Sequence, residues 1–262
     1  MLLDARPDPV ADDARSNSGV AEQRFASVVA RALAAYRDVG FHVARGLLDD
    51  AACAALRTAA THLGTAGTAP LAPVMNPHLA DEAFLAALCH PGIVAILESL
   101  VGHPVSGLQS QYLPCLPGTP GFATHQDNHY VEADRDSFAS AWAALDDVYS
   151  ANGALIVYPG SQRLPLLTPE AVPGAHPHAT QAFNALRQRV VVPPGYAPAT
   201  LEVPRGAVIF LHGHLLHGSN ENHSSRPRAA LLCTYIRRGA SFRRGNSAQR
   251  CEIDVHRQRS AS

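Results

Sequence analysis

The sequence predicts an all-β core preceded by helices, in a single domain. Two observations carry that reading. Up to about residue 102, apolar side chains recur three and four positions apart, the period of an amphipathic helix. Beyond Gly102, Pro104, Pro114, Pro117, Gly118, Pro120 and Gly121 follow in quick succession and the apolar runs shorten, as between the strands of an antiparallel sheet. A parallel α/β sheet would need a helix between successive strands, and few are present there.

Taken in order, residues 1–20 are polar, proline-containing and aperiodic, which predicts a mobile tail. The domain then covers 21–262. Phe25, Val28, Val29, Ala32, Leu33 and Tyr36 define one helical face, and Gly40 ends that helix. Phe41 to Arg45 reads as a short strand. Asp49 is placed to cap a second helix, and two more helical stretches, Asp81–Leu88 and Gly92–Val101, are broken at Pro91. The helical part therefore spans about 21–102. Strand-like runs follow at Val105–Tyr112, Ser137–Leu145, Ala154–Tyr158, Val190–Val192, Ala207–His212 and Ala229–Ile236, a core of about 103–240. Eight prolines crowd the segment 160–205. It is too long for a hairpin loop and is expected to be a lid or binding insertion, with a helical turn near Gln181–Arg189.

Composition narrows the function. The chain has 262 residues, of which 47% are hydrophobic, enough for a sizeable core. Its 21 basic side chains, all arginine, nearly balance 22 acidic ones. Without a basic excess to neutralise phosphates, a nucleic-acid partner is not expected. No uninterrupted run of about 18 apolar residues predicts a membrane span, and the start lacks the pattern of a signal peptide. The five cysteines are scattered and form no CxxC pair, which argues against a disulfide framework or a structural zinc site. A cytoplasmic protein with a small-molecule partner is expected; the oligomeric state is not legible.

The 14 histidines are the remaining oddity. In Thr124-His125-Gln126-Asp127-Asn128, alternate residues would share a face if the segment were a strand, so His125 and Asp127 could point at one centre. Such a pair is half of a metal site, but an HxD tripeptide alone is a weak signal. About ninety residues on comes Leu211-His212-Gly213-His214-Leu215-Leu216-His217-Gly218-Ser219-Asn220. A third ligand from here would complete a two-histidine, one-carboxylate face. Spacing does not choose among His212, His214 and His217.

The chain resembles the phytanoyl-CoA dioxygenase family of Fe(II)/2-oxoglutarate-dependent oxygenases in YRDVGFHVARGLLDD, PGTPGFATHQDNHY, ALDDVYSANGALIVYPGSQR and, most specifically, LLHGSNENHSSRPRAAL. The resemblance implies a double-stranded β-helix (jelly-roll, cupin-like) core. It implies that His125, Asp127 and His217 hold Fe(II). It places Arg228, eleven residues after the distal histidine, on the far carboxylate of 2-oxoglutarate, where a guanidinium fork suits a carboxylate. Ser219 corresponds to an assisting hydroxyl, and Trp142 and Gln109 to walls of the cosubstrate pocket. O2 is the co-reactant, with succinate and CO2 as products. The carboxylate at Asp127 favours hydroxylation or another oxidation over halogenation.

Other residues are open. Asn128, His129 and Tyr130 follow the ligand aspartate and could face substrate; Asn76 and His78 could cap the pocket. His212 and His214 read as residues around the site or on the surface, and His223 as a solvated loop residue. The C-terminal Arg237, Arg238, Arg243, Arg244 and Arg250 could grip an anion, although such a run is more often a solvated face. The substrate expected is small and polar, natural-product or amino-acid-like. Two rival classes are a metal-dependent cupin-like isomerase or hydrolase, which has no use for Arg228, and a non-catalytic jelly-roll binding protein, which would be expected to have lost a ligand or the arginine.

Overall fold

The computed structural model describes residues 27, 29, 30, 32–63, 73–172, 188–246 and 248–256. The tail 1–20 and most of the helical turn expected near 181–189 lie outside them. Helix α1, whose described part includes 32–39, leads into strand β1 (Phe41–Ala44). Helix α2 (Asp50–His62) begins where Asp49 accepts a hydrogen bond from the amide of Ala52 at 2.7 Å, satisfying one of the first-turn donors. After β2 (Val74–Met75), α3 (Glu82–Leu88) is capped by Asp81 and α4 (Pro91–Val101) starts on Pro91, whose missing N–H costs nothing at that position. The stretch Glu82–Val101 is apolar enough by composition to cross a membrane. It is nevertheless two helices, and Phe84, Leu88, Ile93, Ile96 and Leu97 pack into the core.

The remaining elements are β3 (Val105–Cys115), the short helix α5 (Asn128–Val131), β4 (Phe138–Ala144), β5 (Leu155–Val157), β6 (Glu170–Ala171), β7 (Gln188–Arg189), β8 (Ala199–Leu201), β9 (Val208–His212), β10 (His217–Ser219) and β11 (Arg228–Arg237). They form a sheet in the order β1-β9-β4-β11-β3-β2, a smaller sheet β10-β5-β8 and a hairpin β6-β7, with every pairing antiparallel. Val190–Val192, expected as a strand, is not one. The ladder stops at Arg189 and Val190 instead donates its amide to Thr124 at 2.7 Å. Pro193 and Pro194, just beyond, have no N–H to extend a ladder.

The large sheet is covered on both faces, and the two-residue period of its strands sorts the side chains. Ala139, Ala141 and Ala143 of β4, Val208 and Phe210 of β9, and Leu231, Cys233 and Tyr235 of β11 pack under the helices. Trp142, Ala144, Ile209, Leu211 and Ala230 face the other way, against Leu155, Val157, Val203 and partly buried Leu201 of the small-sheet side. This is the jelly-roll arrangement. The inner side of the large sheet also carries Gln109, Gln111 and Leu113 of β3 and Ser140 of β4, so the floor between the sheets is partly polar.

Candidate metal centre

His125 and His217 come from segments ninety-two residues apart in number yet sit as a single antiparallel bridge, each amide donating to the other's carbonyl at 2.9 and 3.0 Å. Their rings lie 4.3 Å apart between centroids. Gly218, the neighbour of His217, has no side chain because a Cβ there would meet the carbonyl oxygen of Phe122 at 2.7 Å. Any larger residue would pry the two ligand segments apart.

The carboxylate arrives differently from the strand alternation expected. His125 occupies the isolated bridge, but Asp127 has left extended structure: its φ of −57° and ψ of −37° are helical, and it immediately precedes α5. That turn, not a strand pleat, carries its side chain back beside His125. Asp127 Oδ1 lies 3.3 Å from His125 Nε2 and 3.6 Å from His217 Nε2. One potential ligand atom from each of the three residues falls within 4.8 Å of the others. Gln126, between them, points away and is fully buried, binding the carbonyls of Pro165 and His214 and the amide of Leu167.

The nitrogens that do not face the centre are engaged. His125 Nδ1 lies 2.8 Å from the carbonyl of Ala123, and His217 Nδ1 lies 3.0 Å from that of Leu215. A carbonyl only accepts, so each Nδ1 carries the proton and each Nε2 presents a lone pair toward Asp127. The hydroxyl of Ser140 donates to Asp127 Oδ2 at 2.6 Å, leaving Oδ1 for the centre. Burial disfavours the Asp127 carboxylate, but His217, His125 and Ser140 outweigh it and hold its pKa well below the usual carboxylate range. His217 is pushed down to about 4, by burial and then by the neighbouring His125. Burial opposes the charged form of His125 too, but its contacts with Asp127 and Ala123 prevail and raise it. A carboxylate and two imidazoles with convergent acceptor atoms are a fitting donor set for a divalent transition metal.

The triad lies on a cavity of about 610 Å³ between the sheets. Trp142, Gln109 and Tyr130 also line it. Gln109 is buried, and neither of its amide atoms has a hydrogen-bond partner among the described residues. Tyr130 stands with its ring centroid 6.2 Å from that of His125. A small side chamber of about 30 Å³ shares Leu113, Phe122, Trp142 and Leu155 with the cavity and is bordered by Ser219 and Arg228. Arg228 is buried, its guanidinium carbon 5.3 Å from the centre of the Trp142 ring. Nε donates to the carbonyl of Asn152 at 3.3 Å and Nη2 to that of Gly153. Gly153 adopts a φ of +90°, and a Cβ on it would lie 2.8 Å from Nη2. Among the described residues Arg228 has no carboxylate within ion-pair distance. Ser219 accepts from the amide of Phe122 at 2.9 Å, which leaves its own hydroxyl proton to donate.

Four expected substrate residues are elsewhere. Asn128 is buried against the loop after α5, exchanging hydrogen bonds with Ala133 and reaching His214 Nε2 at 3.1 Å. The helical turn at Asp127 is what rotates Asn128 inward. His129 stacks edge-on against Tyr130 and does not line the cavity. His78 is buried with Nδ1 2.7 Å from the Ser110 hydroxyl, on the helix side of β3. Asn76 donates to the carbonyl of Ala248, and the neighbouring Met75 takes the cavity position. His223 is exposed beside Glu221, and Arg226 is exposed.

Ser140 was not foreseen, although Trp142 two positions on made it findable, since both must share one face of β4. Arg243, Asn246, Ala248 and Arg250 also line the cavity; no periodic pattern announces a loop that folds back over a site. In the proline-rich segment, none of the described residues 160–172 or 188–205 lines it.

The family model of phytanoyl-CoA dioxygenase matches residues 36–230. A Caenorhabditis elegans protein named as a probable phytanoyl-CoA dioxygenase is 30% identical over 165 residues, 60% of this chain and 52% of its own. L-proline trans-4-hydroxylase of Streptomyces griseoviridis is 28% identical over 185 residues, 65% of this chain and 69% of that protein. The chain spans about half the length of most of the curated relatives it matches. Among solved structures, the epimerase SnoN in complex with Fe3+, alpha-ketoglutarate and nogalamycin RO superposes with a TM-score of 0.68 at 22% identity, covering 83% of this chain and 86% of that one. The carbocyclase SnoK gives 0.64 at 22% identity, covering 82% and 87%. At that identity the likeness is one of fold.

Proposed function

The chain belongs to the phytanoyl-CoA dioxygenase family, and from that premise we propose that it is an Fe(II)/2-oxoglutarate-dependent oxygenase that hydroxylates, or otherwise oxidises, a small polar substrate. The observation that carries the reading is the pairing of the His125–Asp127–His217 set, on its cavity, with a buried guanidinium at the adjoining side chamber that has no carboxylate partner among the described residues. The first suits a divalent iron. The second suits the far carboxylate of 2-oxoglutarate, because a charge kept out of water needs an opposite charge.

In this reading His125, Asp127 and His217 hold the metal, and Arg228 with Ser219 holds the cosubstrate, against Trp142 and Gln109. When bound, iron with 2-oxoglutarate and O2 supplies the oxidising power, and the cosubstrate leaves as succinate and CO2. The chain's own part is positioning and charge. The Ala123 and Leu215 carbonyls keep both imidazoles in the tautomer that offers Nε2. Ser140 holds the Asp127 carboxylate in one orientation and favours its ionised form. The carbonyls of Asn152 and Gly153 hold the Arg228 fork so that it need not reorganise to meet a carboxylate. The apolar walls Leu113, Leu155, Leu211 and Leu232 exclude water.

A carboxylate at Asp127 supports oxidation without halide transfer. The relative named for L-proline hydroxylation supports a small, amino-acid-like substrate. The relative named as a hydroxylase makes hydroxylation the first reaction to test.

The test is an anaerobic titration with Fe(II) and then 2-oxoglutarate, following the weak visible charge-transfer band of the chelate. The band should require both additions and be absent in His217→Ala. A folded, metal-loaded protein without the band would overturn the proposal in favour of an isomerase, hydrolase or binding protein that does not use 2-oxoglutarate.

A further inference from the structure

Only two of the described arginines are buried, Arg228 and Arg250, and among the described residues neither has a carboxylate within ion-pair distance. They stand toward opposite ends of the inner floor. Arg228 pairs in register with Cys115 at the end of β3. Arg250 belongs to the segment that docks on the start of that strand, where Ile253 bridges to Gly107 and Asn76, hydrogen-bonded to Ser110, also holds Ala248. The triad lies on the cavity between them. One 2-oxoglutarate accounts for one of the two guanidiniums. The other is left over.

The loop that carries Arg250 is built to hold it. The Arg250 amide donates to Arg244 at 3.0 Å, and Nη1 donates to the carbonyls of Tyr130 at 3.0 Å and Arg243 at 3.2 Å. Gly245, with a φ of +71°, lets the backbone pass so close that a Cβ there would lie 3.0 Å from Nη1. Nε, by contrast, is buried and has no partner among the described residues. An arginine rarely leaves a buried N–H unpaired, since the desolvated donor is costly unless something accepts from it. Arg250 lines the cavity, as do Gln111 and Asn246, so the acceptor can come from a molecule bound there. Arg243, at the same mouth, is engaged with Glu132 at 2.8 Å. Arg250 also lies beyond residue 230, where the match to the family model ends, so it belongs to the part of the chain that the family pattern does not dictate.

We infer that Arg250 is a substrate-specificity residue: it forms a second anion subsite of the cavity, distinct from that at Arg228, and the substrate is a small carboxylic acid whose carboxylate is held by the Arg250 guanidinium. The inference rests on the oxygenase reading for the statement that Arg228 is taken by the cosubstrate. A guanidinium fork meets a carboxylate through two parallel N–H donors, and an amide of the same shape offers only one acceptor oxygen and no charge.

The test uses the full chain loaded anaerobically with Fe(II) and 2-oxoglutarate. The probes are the twenty proteinogenic L-amino acids, each beside its primary amide, with binding read from perturbation of the charge-transfer band and from the rise in melting temperature. At least one acid should bind at concentrations up to about 10 mM, with its amide bound tenfold or more weakly, about 1.4 kcal/mol. Arg250→Met should abolish that preference while the 2-oxoglutarate titration is unchanged, and Arg250→Lys, which keeps charge but not the fork, should fall between. Three results would overturn the inference: a band-forming protein that binds none of the acids, equal binding of acid and amide, or unaltered acid preference in Arg250→Met. If Arg250→Met fails to fold, the acid–amide comparison in the wild type and Arg250→Lys still decide. If no band forms, the oxygenase reading falls separately, and the melting-temperature arm still tests the Arg250 subsite, which needs no iron.

Discussion

Two pairs of histidines, chemically identical and similarly buried, have opposite fates in this molecule. His212 and His214 close each other off. His212 Nδ1 accepts from the His214 amide at 3.0 Å and its Nε2 meets Asp136 at 3.1 Å, while His214 Nδ1 meets the Leu164 carbonyl and its Nε2 meets Asn128. His125 and His217 use only Nδ1 in this way and leave Nε2 aimed at Asp127. A ring whose two nitrogens are tied to separate, divergent groups is a structural strut; two rings that turn Nε2 onto the same buried carboxylate oxygen make a ligand set. Burial alone does not separate the two pairs, but the convergence of their nitrogens does.

The comparison breaks most visibly if a convergent nitrogen is removed. His217→Ala should lower Fe(II) affinity by well over a hundredfold, more than the 10- to 100-fold typical of residues behind the ligands, whereas His214→Ala should keep metal binding. Anaerobic metal titration of both variants checks this. Metal binding retained in His217→Ala would mean that the triad is not the site.

The next largest effect is expected at Arg228. Removing one partner of a buried charged pair costs about 3 kcal/mol or more, so Arg228→Ala should weaken 2-oxoglutarate binding about a hundredfold with Fe(II) binding intact. Titration of the cosubstrate at saturating iron measures it. An unchanged cosubstrate affinity would reassign the buried guanidinium to structure alone.

Ser140→Ala probes orientation and not ligation. Freed from its hydroxyl partner, Asp127 should hold metal about tenfold less tightly, and Ser140→Thr should restore part of the loss. Competition with a metal chelator gives the number; no loss would show that the ligand carboxylate needs no second anchor.

The smallest effect is on stability against pH, and it belongs to the struts. Burial lowers the pKa of His78, of His212 and of His214 in the folded chain. The unfolded chain therefore binds more protons below about pH 6.5. Their contribution is present above that value and is lost as the pH falls through the lowered folded values. Urea midpoints of the metal-free protein should fall between pH 7 and the mildly acidic range, and His78→Gln should make the fall shallower. A slope unchanged by that substitution would place the proton uptake elsewhere.

The change from helical to strand period near Gly102 determined the architecture, because burying one face of a helix and two faces of a sheet needs different spacings of apolar residues. Local chemistry likewise determined the caps at Asp49 and Asp81 and the helix start at Pro91. The His-x-Asp and distal histidine segments were legible as ligand material, and the family resemblance named His217, Arg228 and Ser219 where spacing left His212, His214 and His217 equivalent. Tertiary structure decided the rest. Whether a histidine is a strut or a ligand depends on carbonyls and amides supplied by distant segments, such as Leu164 beside His214. Asp127 reaches the centre through a helical turn that simple alternation does not foresee, and the same turn removes Asn128 from the cavity. Arg250 reads in the sequence as one of a run of arginines that could grip an anion or form a solvated face, and only the docking of 248–253 on the start of β3 buries it on the cavity it shares with the triad. Periodic burial is written along the chain; convergence of single side chains on one point depends on contacts between residues remote in sequence, and those exist only once the chain has folded.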